Sequence, residues 1–170
     1  MVNKSNSLVK DNYFLKPGFI FIPKKTTDIS VVLGSSVAVC IYDKERKTGG
    51  INHFQLPIIY EKDRATTRYG NVATITLINM LFNDGSEIKH LEAQVIGGAH
   101  NRKVSSKDIG KDNIKMAKTV LAKKQIRVAS EDVGGKKGRK IVFNTCSGEV
   151  AVLKVDKIRK RDWYPYEDDR

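Results

Sequence analysis

Cysteine is scarce in this chain. Cys40 and Cys146 are the only two among 170 residues, with no CxxC spacing and no second pair. That argues against a disulfide framework and against a zinc site, and it suits a reducing compartment. Long apolar runs are missing too. Val37–Tyr42, among the most apolar short runs, falls far below the about 20 residues that span a bilayer. The opening MVNKSNSLVKDNYF holds no apolar block of signal-peptide length. The expectation is a cytoplasmic protein without membrane insertion. No internal repeat or low-complexity tract is visible. The chain is 40% hydrophobic with 6 Phe and 6 Tyr, enough for one packed core. Its length fits a single domain, and disorder is not the default reading.

Acidic residues are also in deficit. Asp and Glu number 19 against 31 Lys and Arg, a formal net charge of +12. Residues 102–140 hold 13 Lys/Arg and 4 Asp/Glu, so they supply +9 of that excess. Solvated lysines explain part of it; a docking surface for an acidic partner explains it more sharply. The stretch has no aromatic residues interleaved for base stacking, so nucleic acid is not the expected partner.

Residues 1–12 read as a loose N-terminal segment, 13–160 as the domain, and 161–170 as a tail. In that tail Trp163, Tyr164 and Tyr166 are expected to fold back on the core. Strands are predicted at Phe19–Ile22, Ile29–Leu33 and Val37–Tyr42, the last ended by a polar turn Asp43–Thr48. Gly49-Gly50 then opens INHFQLP, closed by Pro57. A first helix is predicted over Val72–Asn83, with Val72, Ile75, Ile78 and Leu81/Phe82 as its stripe and Gly85 as C-cap. A second runs over Lys111–Lys124, burying Ile114, Ala117, Val120 and Leu121 behind an outer row of lysines. Leu91–Ile96 and Ile126–Ser130 read as strands. Arg139–Asn144 and Glu149–Val155 form a hairpin around Cys146-Ser147-Gly148. The order implies an α+β fold, a single-domain layered sandwich whose mixed sheet is flanked by two main helices.

Six short motifs stand in order: LGSSVAVCIYD (Leu33–Asp43), GGINHFQLP (Gly49–Pro57), RYGNVA (Arg68–Ala73), GGA (Gly97–Ala99), IGKDN (Ile109–Asn113) and EDVGGKKGRKIVF (Glu131–Phe143). Across about residues 13–155 they resemble the chemoreceptor glutamine deamidase (CheD) family. The resemblance implies three site positions. The family's LGSC cysteine falls on Ser36, its histidine on His53, 17 residues further on, and its threonine on Ser30. Histidine is kept, one hydroxyl replaces another at Ser30, and the nucleophile changes from thiol to hydroxyl.

The implied reaction is hydrolysis of a protein glutamine to glutamate and ammonia, with no cofactor and no metal. It needs a nucleophile for Cδ, a base to activate it, donors for the oxyanion and a proton for the departing nitrogen. A thiol of pKa about 8.5 ionises readily beside an imidazole of pKa about 6.5. Ser36 does not, so His53 must take its proton during attack. Backbone N–H groups around Gly34–Val37 are candidate oxyanion donors, and Ser30 would orient the ring. A loss of several orders of magnitude relative to cysteine is expected.

Cys40 is a poor stand-in. If Ser36–Cys40 is extended, four residues at about 3.3 Å each separate the two by roughly 13 Å. A helical segment would make them neighbours, but the β-branched run favours a strand. His90 and His100 read as surface or loop residues, having no metal-ligand spacing. Gly97-Gly98 and Gly134-Gly135 with Gly138 read as tight turns, since they miss P-loop spacing. Asp43, Asp63, Asp84 and Asp132 read as turn or cap residues. The implied partners are chemoreceptor cytoplasmic helices and a CheC-type phosphatase. Two activities stay open: turnover, or a binding module that engages these partners without it.

Overall fold

The computed structural model describes residues 10–163, without the side chain of Trp163. Two mixed sheets and a helical layer stack on one another. One sheet has the order β1-β3-β8-β9, from Asp11–Phe14, Thr27–Leu33, Gly138–Asn144 and Val150–Val155. The other has the order β2-β5-β4-β6-β7, from Ile20–Phe21, Thr48–Phe54, Val37–Asp43, Leu91–Gly97 and Arg127–Val133. β1 runs parallel to β3 and β7 parallel to β6, and every other neighbour is antiparallel. The α+β reading holds, with two sheets in place of one.

The middle sheet is covered on both faces, which is why VAVCIY is apolar without alternation. Val37, Val39 and Ile41 of β4 face helices α1 (Gly70–Asn83) and α2 (Ile109–Lys123) in one core cluster. Ala38 and Cys40 face the four-stranded sheet in another, with Leu15, Ile29, Leu33 and Phe143. Gly49 and Gly50 make that double covering feasible. A Cβ on Gly49 would meet Phe143 Cζ at 2.8 Å, and one on Gly50 would meet Leu77 Cδ1 at 2.9 Å.

Both helices end in the same hydrogen-bonded motif. Ser86 N–H donates to Leu81 O (3.0 Å) and Gly85 N–H to Phe82 O (2.9 Å), with Gly85 at φ +98°, as its reading as a C-cap requires. Gln125, at φ 57°, fills that place after α2. The stripe predicted for α1 holds at Ile78 and Leu81, with Phe82 packed against the core, and fails at Ile75. Ala73, Thr74, Leu77, Ile78 and Leu81 are buried, while Ile75 is exposed.

Three further readings are corrected. Strand β1 begins at Asp11, inside the segment expected to be loose. The Phe19–Ile22 strand shrinks to Ile20–Phe21. Asp132 is no turn residue: it lies on β7, 2.9 Å from buried Arg139 and 3.2 Å from Lys154. The chain continues into a short helix α3, Lys160–Trp163, whose Asp162 holds Lys140 of β8 at 2.8 Å. The aromatic side chains of Trp163, Tyr164 and Tyr166 lie outside the described residues, as do residues 1–9. No described helix is long and apolar enough to cross a membrane.

Candidate active site

The loop Gly34–Ser36 joins β3 to β4, and all three of its carbonyls are taken. Ala99 N–H donates to Gly34 O (2.9 Å) and Gly98 N–H to Ser36 O (2.8 Å). Asn113 Nδ2 donates to Ser35 O (2.9 Å) and also to Gln55 O (2.9 Å). Asn113 is fully buried on the first turns of α2, so a side-chain amide ties this loop to the segment after β5. The close approach depends on glycine. Gly97 lies at φ +111°, and a Cβ there would strike the Ser36 carbonyl; one on Gly110 would strike the Gly98 carbonyl. GGA, IGKDN and LGSS are therefore three sides of one clamp.

RYGNVA holds the opposite side. Gln55 and Leu56 N–H groups donate to Arg68 O (2.9 and 3.0 Å), and Gly70 N–H donates to Leu56 O (2.7 Å). Asn71 exchanges two hydrogen bonds with the Ile59 backbone. The last motif is mainly structural. Arg139, 2% exposed, donates from Nη1 to the carbonyls of Gly134 and Lys137 and pins the β7–β8 turn.

Register decides where His53 points. It pairs with Ala38 while Ile51 pairs with Cys40, so all four side chains face the space between the sheets. At the end of that space His53 Nε2 lies 2.8 Å from Ser36 Oγ. Its Nδ1 faces the Leu15 carbonyl at 3.5 Å. A proton on Nδ1, donated to Leu15 O, leaves Nε2 free to accept from the Ser36 hydroxyl. Burial pushes the His53 pKa down to about 4, with the Leu15 carbonyl acting in the opposite sense. The imidazole is thus neutral at physiological pH, as a base must be before it acts. His53 is 1% and Ser36 6% exposed.

Ser30 sits in β3 between inward-facing Ile29 and Val31, half-buried. No hydrogen bond joins its hydroxyl to His53 among the described residues, and the ring's partner is the Leu15 carbonyl. Ser30 reaches that carbonyl only through the backbone, by accepting Leu15 N–H at 3.0 Å. Leu15 was not legible as a site residue, because a backbone acceptor leaves no signature in residue type. The adjoining Pro17-Gly18 was the sole local signal. Gly18 N–H donates to His53 O (2.7 Å), and the Thr67 hydroxyl donates to Gly18 O, so the segment is strapped across the histidine strand.

Cys40 is buried on β4, and burial alone raises its thiol pKa far above the usual range. It is a core residue. His90 closes a short 3-10 turn, and His100 stands beside the 101–107 loop, 3.9 Å from Asp108.

The chain is similar to known proteins over most of its length. The family profile for CheD chemotactic sensory transduction matches residues 56–154. A protein of Trichlorobacter lovleyi named "Probable chemoreceptor glutamine deamidase CheD" is 41% identical over 140 residues, covering 81% of this chain and 87% of its own. Proteins of the same name from Sulfurimonas denitrificans (33%, covering 81% and 90%) and Methanococcus vannielii (35%, covering 85% and 96%) are similar over comparable spans. With a family profile matched over residues 56–154 and relatives 33–41% identical over about four-fifths of its length, the chain belongs to the CheD family.

Proposed function

We propose that this chain is a chemoreceptor glutamine deamidase of the CheD type that works through a hydroxyl nucleophile. The observation that supports this reading is the 2.8 Å contact between Ser36 Oγ and His53 Nε2. The names of its relatives point to chemoreceptors as the substrate. Ser36 Oγ attacks the glutamine Cδ as Nε2 takes the hydroxyl proton. The tetrahedral intermediate collapses when the imidazolium returns that proton to the departing nitrogen, which leaves as ammonia. Water, deprotonated by the same ring, then hydrolyses the Ser36 ester to glutamate. Ser30 contributes by holding the Leu15 backbone, and so the ring, in place. Partners under this reading are the cytoplasmic helices of chemoreceptors and a CheC-type phosphatase, which places the protein in the cytoplasm.

A second reading, binding without turnover, is favoured by one feature. Nδ1 faces a carbonyl, not a carboxylate, so the imidazolium formed during attack gains little compensation for its burial. A thiol nucleophile lessens that cost, because it gives up its proton far more readily than a hydroxyl and the thiolate left behind pairs with the imidazolium. Wild-type, Ser36→Cys and Ser36→Ala proteins incubated with receptor cytoplasmic fragments separate the readings, following ammonia and the mass of the target peptide. The expected result is slow turnover by wild type, none by Ser36→Ala, and turnover faster by orders of magnitude for Ser36→Cys. Wild type that binds but releases no ammonia establishes the binding module. A Ser36→Cys protein inert on every receptor fragment removes the site assignment.

A further inference from the structure

Gly34 and Ser35, next to Ser36 in the chain, form one wall of a cleft of about 330 Å³ whose other walls carry His100, Val104, Lys107 and Lys136. Arg102 and Lys103 stand exposed on the same 101–107 loop. Among the described residues, none of Arg102, Lys103, Lys107 and Lys136 lies within ion-pair distance of a carboxylate. Their neighbours do: Lys118 holds Glu131, Lys137 holds Asp156 and Arg139 holds Asp132. The lining holds one carboxylate, Asp156, and Asp108 stands close by; both are already committed. Asp108 caps α2 by accepting Lys111 N–H (2.9 Å), and Asp156 takes Lys137 at 3.1 Å. Val104 is 82% exposed and gives this basic rim an apolar foothold.

Taking the deamidase reading as its basis, we propose that this cleft selects target glutamines by the acidity of the protein segment that carries them. Unpaired cations around a concave surface raise the local concentration of an acidic partner and penalise a basic one. The reaction itself then has an electrostatic consequence. A neutral carboxamide and water become a carboxylate and ammonium, so a new negative charge forms beside the cationic rim. Product is held more tightly than substrate, and salt relieves that retention.

The test uses the full chain and labelled peptides with a single glutamine flanked either by glutamates or by alanines, plus the glutamate product of each. Anisotropy is followed with Ser36→Ala protein, and turnover with Ser36→Cys protein. The acidic peptide should bind at least about tenfold tighter than the neutral one, and its product tighter still. Lys107→Glu with Lys136→Glu should erase that preference and raise KM with kcat unchanged, while leaving the neutral peptide's affinity alone. Raising salt from about 0.05 to about 0.3 M should do the same. Equal affinity for acidic and neutral peptides, or no response to the charge reversals, overturns the inference while deamidation of receptor fragments still stands. Charge-dependent peptide binding with no ammonia from any form leaves an acid-selective docking cleft but removes the deamidase reading, and with it the selection of glutamines.

Discussion

His53 is a neutral base held inside the protein, and that has two measurable consequences. Above its folded pKa of about 4 the ring is deprotonated, so wild-type kcat/KM should be flat from pH 8 to about pH 5 and fall only below that. A limb near 6.5 would mean that the ring is solvated in the working state. Stability follows the same shift. The folded protein binds fewer protons at this position than the unfolded chain between pH 4 and 6.5. The stabilisation is therefore fully present above about 6.5 and is lost as pH falls toward 4. At about 1.4 kcal/mol per unit, it amounts to roughly 3 kcal/mol. Urea titrations at pH 7.5 and 5 cross about 1.5 of those units, so they should show about 2 kcal/mol of that difference in wild type and its disappearance in His53→Gln. The two thiols should also separate. Exposed Cys146 should react with a disulfide reagent within minutes, and Cys40 only after unfolding.

At the scale of elements, the nucleophile's position depends on a helix bonded to the residue before it. Helix α2 presents Gly110 to the Gly98 and Ala99 carbonyls and Asn113 to Ser35 and Gln55. Gly110→Ala should improve helix propensity by about 1 kcal/mol. The new methyl would meet backbone, which cannot give way as a side chain would, so a net loss of about 1–3 kcal/mol is expected. A lower Tm together with lower kcat would show that α2 seats the loop; an unchanged or higher Tm would remove the clamp argument. The inner face of α1 also carries a residue that an apolar stripe leaves out. Thr74 is fully buried because its hydroxyl accepts from Asn52 Nδ2 (3.3 Å), whose own Oδ1 accepts Val39 N–H. A polar network inside the core gives Thr74 a place on that face, which apolar spacing alone does not reveal.

Across the whole molecule, one sheet serves two cores. The five-stranded sheet packs helices on one face and the four-stranded sheet on the other, so neither covering layer has a core of its own. Thermal unfolding should therefore be a single transition, coincident by near- and far-ultraviolet circular dichroism. Phe143, fully buried between the sheets against Gly49, is the sharpest probe of that sharing. Phe143→Ala should cost about 3–5 kcal/mol by urea titration. That is a large fraction of the about 5–15 kcal/mol typical of a domain.

Residue order alone carried the α+β class, the buried strand VAVCIY, both long helices, the C-cap at Gly85 and the hairpin at Gly148, while the family resemblance of its motifs named Ser36 and His53 as a pair. Periodicity and turn chemistry are local, and a motif is a list of residue types, so a linear string can hold them. Tertiary structure alone decided that Leu15 offers the ring its acceptor, that Asn113 anchors the loop, and that there are two sheets. A backbone carbonyl has no side-chain identity to read, and a buried amide is told from a surface one only by what packs around it. Which layer covers which face is settled by contacts between residues about a hundred positions apart.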